Sequence, residues 1–167
     1  LGVAYLAMRR GARRVTVIGK SDPLRLGIAE KLGAERIIDL ADYEGRSLSD
    51  IIGGRGADVV FEATGAADSI TQGLDLLRDY GMMVAIGIHH EPSPIDTTPF
   101  VRRKLQMRGA HGSGRDNWDR VMALMPSAIS DLAPLVTHQI GLEQVVEGFE
   151  MCRRREACKV ILRPQQG

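Results

Sequence analysis

Residues 1–20, LGVAYLAMRRGARRVTVIGK, decide the reading of the fold. Gly2 stands directly before a helical period that puts Val3, Leu6 and Ala7 on one face, and Gly11 marks its stop. Arg14–Gly19 (RVTVIG) is then an apolar, β-branched run of the kind a strand buried on both faces requires. A glycine, a helix and a strand in that order form the tail of the dinucleotide-binding fingerprint G-x-G-x-x-G, whose glycine turn follows a first strand and opens a helix facing the pyrophosphate. On this reading Gly2 is the third glycine, and the first strand and two glycines are absent. The chain is therefore expected to begin inside the motif and to be part of a larger working molecule.

Working outward, strand-like and helix-like runs alternate, which predicts an α/β fold: a doubly wound parallel sheet of Rossmann type lacking its first strand. Asp22 followed by Pro23 reads as an N-cap with proline at the first helical position, and that helix runs to Leu32 and ends at Gly33. Arg36–Leu40 is a strand, Ser47–Ile52 a short helix, Asp58–Glu62 a strand, Ala67–Leu77 a helix and Met82–Gly87 a strand. After Pro92–Pro99 the texture changes. Leu105–His111 reads as a strand, Asn117–Met125 as a helix, Leu135–Ile140 as a strand, Glu143–Arg155 as an amphipathic helix and Lys159–Leu162 as a last strand. Trp118 and Met107 read as core.

Composition narrows the function. The 167 residues suffice for one ordinary core, and 44% hydrophobic with 26% charged residues is globular usage. A net charge of +1 argues against nucleic acid as a partner. No apolar run approaches the roughly 20 residues that span a bilayer, so no membrane partner is expected. Two cysteines, Cys152 and Cys158, suit a reducing compartment, and the protein reads as cytoplasmic. His89, His90, His111 and His138 are scattered, and the cysteines lack C-x2-C spacing, so no metal site is expected within the chain.

Gly2 opening a helix, EKLGAERIIDL, GGRGADVVFEATG, a strand ending in IG, and PLVTHQIGLEQVVEGFEMCRRREACKVIL together resemble the zinc-dependent medium-chain alcohol dehydrogenases. The final stretch is most similar to the polyol (sorbitol-type) and threonine dehydrogenase branch. The resemblance covers essentially the whole chain and rests on order and spacing rather than on one motif. It implies a truncated dinucleotide-binding domain over 1–113 and a segment, 114–167, returning toward a catalytic domain. It also implies hydride transfer between a secondary alcohol and nicotinamide, with zinc only in an N-terminal domain upstream of the fingerprint. This stretch alone would then be inactive, and no catalytic residue is assigned. A zinc-free quinone or enoyl reductase of the same superfamily, or a non-catalytic dinucleotide-sensing domain, remain alternatives.

The cofactor candidates follow from position. Gly2 lets the helix N-terminus approach a diphosphate. An NAD site places an acid about 20 residues on, at the end of the second strand, to bond the ribose 2′-OH. Here Gly19-Lys20-Ser21 stands there instead, and Lys20, Ser21 and Arg25 suit a 2′-phosphate, favouring NADP over NAD, with Asp22 as a displaced ribose acid the alternative to its reading as an N-cap. Thr64 and Gly65 lie past the carboxyl end of a parallel strand, where open α/β sheets bind ligands. Gly87 and Ile88 follow the next strand, with backbone groups placed for a nicotinamide carboxamide; the adjacent His89 and His90 read as solvated. The resemblance adds Lys159, at a position carrying Lys or Arg near the cofactor phosphates. It also implies a homo-oligomer paired through the Leu105–Gly109 edge strand.

Overall fold

The computed structural model describes residues 1–164, and among them every strand pairing is parallel. Parallel strands cannot be joined by tight hairpins, so each pair is connected by a crossover, here helical. The chain forms two compact units, Leu1–Glu44 together with the described residues from Arg115 onward, and Gly45–Gly114.

The first unit opens with α1 (Gly2–Arg9), then β1 (Thr16–Gly19), α2 (Pro23–Lys31) and β2 (Arg36–Asp39). β1 and β2 pair in register from Thr16 opposite Arg36 to Gly19 opposite Asp39. Asp22 caps α2 as expected, its carboxylate accepting the Arg25 amide at 3.1 Å, with Pro23 in the first turn. Leu26, Ile28 and Ala29 of α2 and Ile38 of β2 are buried. The unit is completed by α6 (Arg115–Leu132), β6 (Val136–Gly141), α7 (Val145–Arg153) and β7 (Lys159–Arg163), with β6 and β7 paired. Side chains far apart in sequence tie these parts together. The Tyr5 hydroxyl donates to Asp131 at 2.9 Å, Arg25 Nη2 donates to the Ala157 carbonyl at 3.0 Å, and Arg155 Nη1 donates to the Lys20 carbonyl at 2.6 Å.

The second unit contains α3 (Leu48–Ile52), β3 (Ala57–Glu62), α4 (Ser69–Leu76), β4 (Leu77–Ala85), α5 (Thr97–Arg102) and β5 (Gln106–Gly109). The sheet order is β3-β4-β5. Ile70 and Leu74 of α4 pack with Leu77, Met83 and Leu105, and Val60, Ala85 and Phe100 close the cluster. The register ends with Glu62 opposite Ala85 and Ala85 opposite Gly109, so three strands finish together at one edge.

Several sequence expectations need correction. β4 starts at Leu77, not Met82, because Leu77 pairs with Ala57 before a register shift, with Tyr80 at φ +61° in the irregular stretch. α5 lies where the sequence reading assigned no element, at and after the end of the proline-rich stretch, capped by Asp96, whose carboxylate accepts the Thr98 amide at 2.8 Å. α6 continues through Pro126 to Leu132, beyond the expected stop at Met125. Trp118 (62% exposed) and Met107 (41%) are surface residues rather than core. On α7, Val146 and Phe149 are likewise exposed, so the helix is held through Gly148, whose backbone packs close to Ile140.

Candidate functional site

In the first unit, three residues singled out from sequence come to one place. Gly2, Arg25 and Lys159 line a single open cleft of about 730 Å³, with Leu1, Ile129, Val136, Ile161 and Arg163 among its other walls. Gly2 is the first residue of α1, and a Cβ built there would meet nothing within 4 Å. The helix N-terminus, with its unpaired amides and positive dipole end, is therefore openly accessible. Lys159 is exposed at the start of β7. These groups supply what an anionic diphosphate needs: backbone donors at a helix start and fixed cations nearby.

The turn after β1 is more organised than its sequence suggests. Ser21 adopts φ +52°, and its amide donates to Asp39 Oδ1 at 2.8 Å, which also accepts from the Ala41 amide at 3.0 Å. The Ser21 bond, followed by that from Ala41, holds the Asp39 carboxyl below the usual carboxylate range. Arg25 Nη1 lies 2.6 Å from Asp22 Oδ2, and its other nitrogen is spent on Ala157. The acids at this turn are thus both engaged by the protein itself. Lys20 is exposed and makes no ion pair among the described residues, which leaves it as the turn's available charge.

In the second unit, Thr64-Gly65 and Gly87-Ile88 lie against each other, and the group that joins them is one the motif reading passed over. Glu62, the last residue of β3, is 4% exposed. Its Oε1 accepts from the Thr64 amide at 2.6 Å, the Thr64 hydroxyl at 2.7 Å and the Gly65 amide at 3.0 Å. Its Oε2 lies 3.0 Å from His89 Nε2, which donates because an ionised carboxylate can only accept. Gly65 has φ +71°, and a Cβ there would overlap the Ile88 carbonyl oxygen; a Cβ at Gly87 would overlap the Gly65 amide. Both glycines are therefore required by the approach of two loops. The Ile88 side chain is 67% exposed.

His89 is half-buried in this network, contrary to its reading as a solvated residue, whereas His90 is exposed. Ser93 Oγ lies 3.3 Å from His89 Nδ1, giving a serine–histidine–glutamate order. The serine is not arranged as a nucleophile, because its hydroxyl donates to the Ala67 carbonyl at 2.9 Å rather than to the imidazole. The sequence signal for Glu62 was only its place at a strand end, since its partner His89 is 27 positions away. Among the described residues no group of three or more His, Cys, Asp or Glu is placed to hold a metal ion. Cys152 and Cys158 are unpaired.

Burial alone would raise the Glu62 carboxyl, but the hydrogen bonds from Thr64, His89 and Gly65 outweigh it and hold the group down to about 2. A carboxyl depressed in the folded state contributes stability above its unfolded value of about 4.3, and loses it as pH falls toward the folded value. Glu62→Gln is therefore expected to destabilise the chain by about 3 kcal/mol near pH 6, with the difference from wild type vanishing near pH 2. Urea denaturation followed by circular dichroism at several pH values measures this; a difference that stays constant with pH contradicts it.

Comparison with known proteins places this geometry. Residues 1–127 match the zinc-binding dehydrogenase family. The chain is 35% identical to an L-threonine 3-dehydrogenase from Bacillus velezensis, over 95% of this chain and 46% of that protein. Among solved structures it is similar to an alcohol dehydrogenase from Thermotoga maritima, with 30% identity, TM-score 0.84, and 97% and 46% of the two chains covered. It is also similar to 2R,3R-butanediol dehydrogenase from Bacillus subtilis, with 28% identity, TM-score 0.85, and coverage of 98% and 47%. The chain thus spans about half the length of the relatives it matches. An α/β fold of parallel strands with Rossmann-like neighbours, and a match covering most of the sequence, lead to one conclusion: this chain belongs to the zinc-binding dehydrogenase family.

Proposed function

We propose that this chain carries the nicotinamide-dinucleotide site of an enzyme that transfers hydride between a secondary alcohol, polyol or hydroxy-amino acid and the cofactor. The observation that carries the reading is the convergence of Gly2, Arg25 and Lys159 on one cleft at the start of α1. Gly2 and Lys159 would hold the diphosphate, and Lys20, Ser21 and Arg25 would meet the adenosine ribose and its 2′-phosphate. Thr64, Gly65, Gly87 and Ile88 would present backbone groups to the nicotinamide end. The bound dinucleotide supplies the hydride chemistry; the chain's residues bind and orient it. The relatives are named for small-molecule alcohol substrates, L-threonine and butanediol among them, which supports a substrate of that class.

In the whole enzyme, 1–113 would form the dinucleotide-binding domain and 114–167 would pack toward a catalytic domain. Any zinc ion would be held by residues outside this chain. Unpaired cysteines support a cytoplasmic setting, and no helix among the described residues is long and apolar enough to cross a membrane.

NADP is the favoured cofactor, because the acids at the β1 turn are engaged internally while Lys20 is free to meet a 2′-phosphate. The NADP-bound zinc-binding dehydrogenase from Sinorhizobium meliloti shares the fold, with TM-score 0.85 at 21% identity. Replacing Lys20 by Asp is expected to lower affinity for NADPH by about tenfold while leaving or improving that for NADH, the worth of one charge-assisted contact. Fluorescence titration of the chain with both cofactors reads the ratio, and an unchanged NADPH/NADH preference contradicts the assignment.

We also infer homo-oligomer formation through the edge strand of the second unit. β5 pairs with β4 on one side only, and Gln106–Gly109 are exposed, whereas Leu105 is buried in the core cluster. A second copy pairing on that edge would satisfy its free backbone groups. Light scattering should then give twice the chain mass, and a strictly monomeric protein at high concentration is incompatible with this interface.

A further inference from the structure

We propose that Glu62 is a positioning residue for the nicotinamide end of the dinucleotide, its one carboxylate fixing both the turn after β3 and the segment after β4. The inference rests on the dinucleotide reading above and goes beyond it by naming the group that shapes this part of the site.

Glu62 is engaged through side chain and main chain together. The carboxylate takes the Thr64 amide and hydroxyl, the Gly65 amide and the His89 ring, while its carbonyl accepts the Ile86 and Gly87 amides at 2.7 and 3.1 Å. Residues 64–65 and 86–89 therefore take their positions from a single buried residue. Ser93 Oγ lies 3.3 Å from the far ring nitrogen of His89, and its hydroxyl donates to the Ala67 carbonyl. A buried carboxylate satisfied in this way is costly to disturb, since removing one partner leaves the others without theirs.

The arrangement also settles which ligand chemistry suits this turn. The Thr64 and Gly65 amides that a phosphate would seek are already spent on an anion. The Thr64 hydroxyl donates to Glu62 and accepts from the Ala66 amide at 3.1 Å, so it too is committed. A second anion here would face an uncompensated carboxylate, whereas a neutral carboxamide or a cationic oxidised nicotinamide ring would not. Glu62 thereby assigns the uncharged end of the cofactor to this turn.

The test separates the two ends of the ligand. NADPH is compared with 2′-phospho-ADP-ribose, which lacks the nicotinamide, by calorimetry on the chain and on its Glu62→Gln and His89→Ala variants. Glu62→Gln is expected to weaken NADPH by about tenfold, the worth of a lost hydrogen bond to a charged group, and to leave 2′-phospho-ADP-ribose within about twofold. His89→Ala should show the same selectivity with a smaller loss, and it decides the matter if Glu62→Gln does not fold. Equal losses for both ligands, or NADPH affinity unchanged in both variants, overturn the positioning role. A wild-type chain that binds neither ligand overturns instead the dinucleotide reading on which it rests.

Discussion

Parallel pairing is the constraint on which the rest depends. When strands run the same way, their carboxyl ends finish side by side, and the turns that follow must satisfy exposed amides at a crowded edge. This protein meets that need with a carboxylate at the end of a strand. Asp39 at the end of β2 takes the amides of Ser21 and Ala41, and Glu62 at the end of β3 takes those of Thr64 and Gly65. Both acids remain ionised because backbone donors converge on them. The turns they hold are the ones proposed above to meet a dinucleotide.

The two turns have different chemical characters. At the β1 turn the acid is half-buried and an exposed lysine stands beside it, so the local surface offers positive charge. At the β3 turn the acid is buried and consumes the Thr64 and Gly65 donors around it. The α1 N-terminus shares its cleft with Arg25 and Lys159.

The strands were legible because their runs are apolar and β-branched, as in VTVIG, RIID and DVVFE, although β1 has no fully buried residue and Val59 and Phe61 are exposed, and because caps such as Asp22-Pro23 act within a few residues. What could not be read depends on contacts distant in sequence. α5 begins in a proline-rich stretch whose capping by Asp96 overrides its irregular composition. Trp118 and Met107 fit apolar periodicity but face outward in this chain. Glu62 looked like the end of a strand until a segment 27 residues later supplied His89 and buried it. At Gly65 and Gly87 the structure shows a need for glycine that no local pattern states, the close approach of two backbones.

The central claim is the proposal that this chain binds a nicotinamide dinucleotide. Amide chemical-shift mapping of the chain titrated with NADPH tests it most directly. The account predicts saturable shifts at Gly2 and Ser21 in one unit and at Gly65, Gly87 and Ile88 in the other. Shifts confined to other surfaces, or none at saturating cofactor, would contradict it.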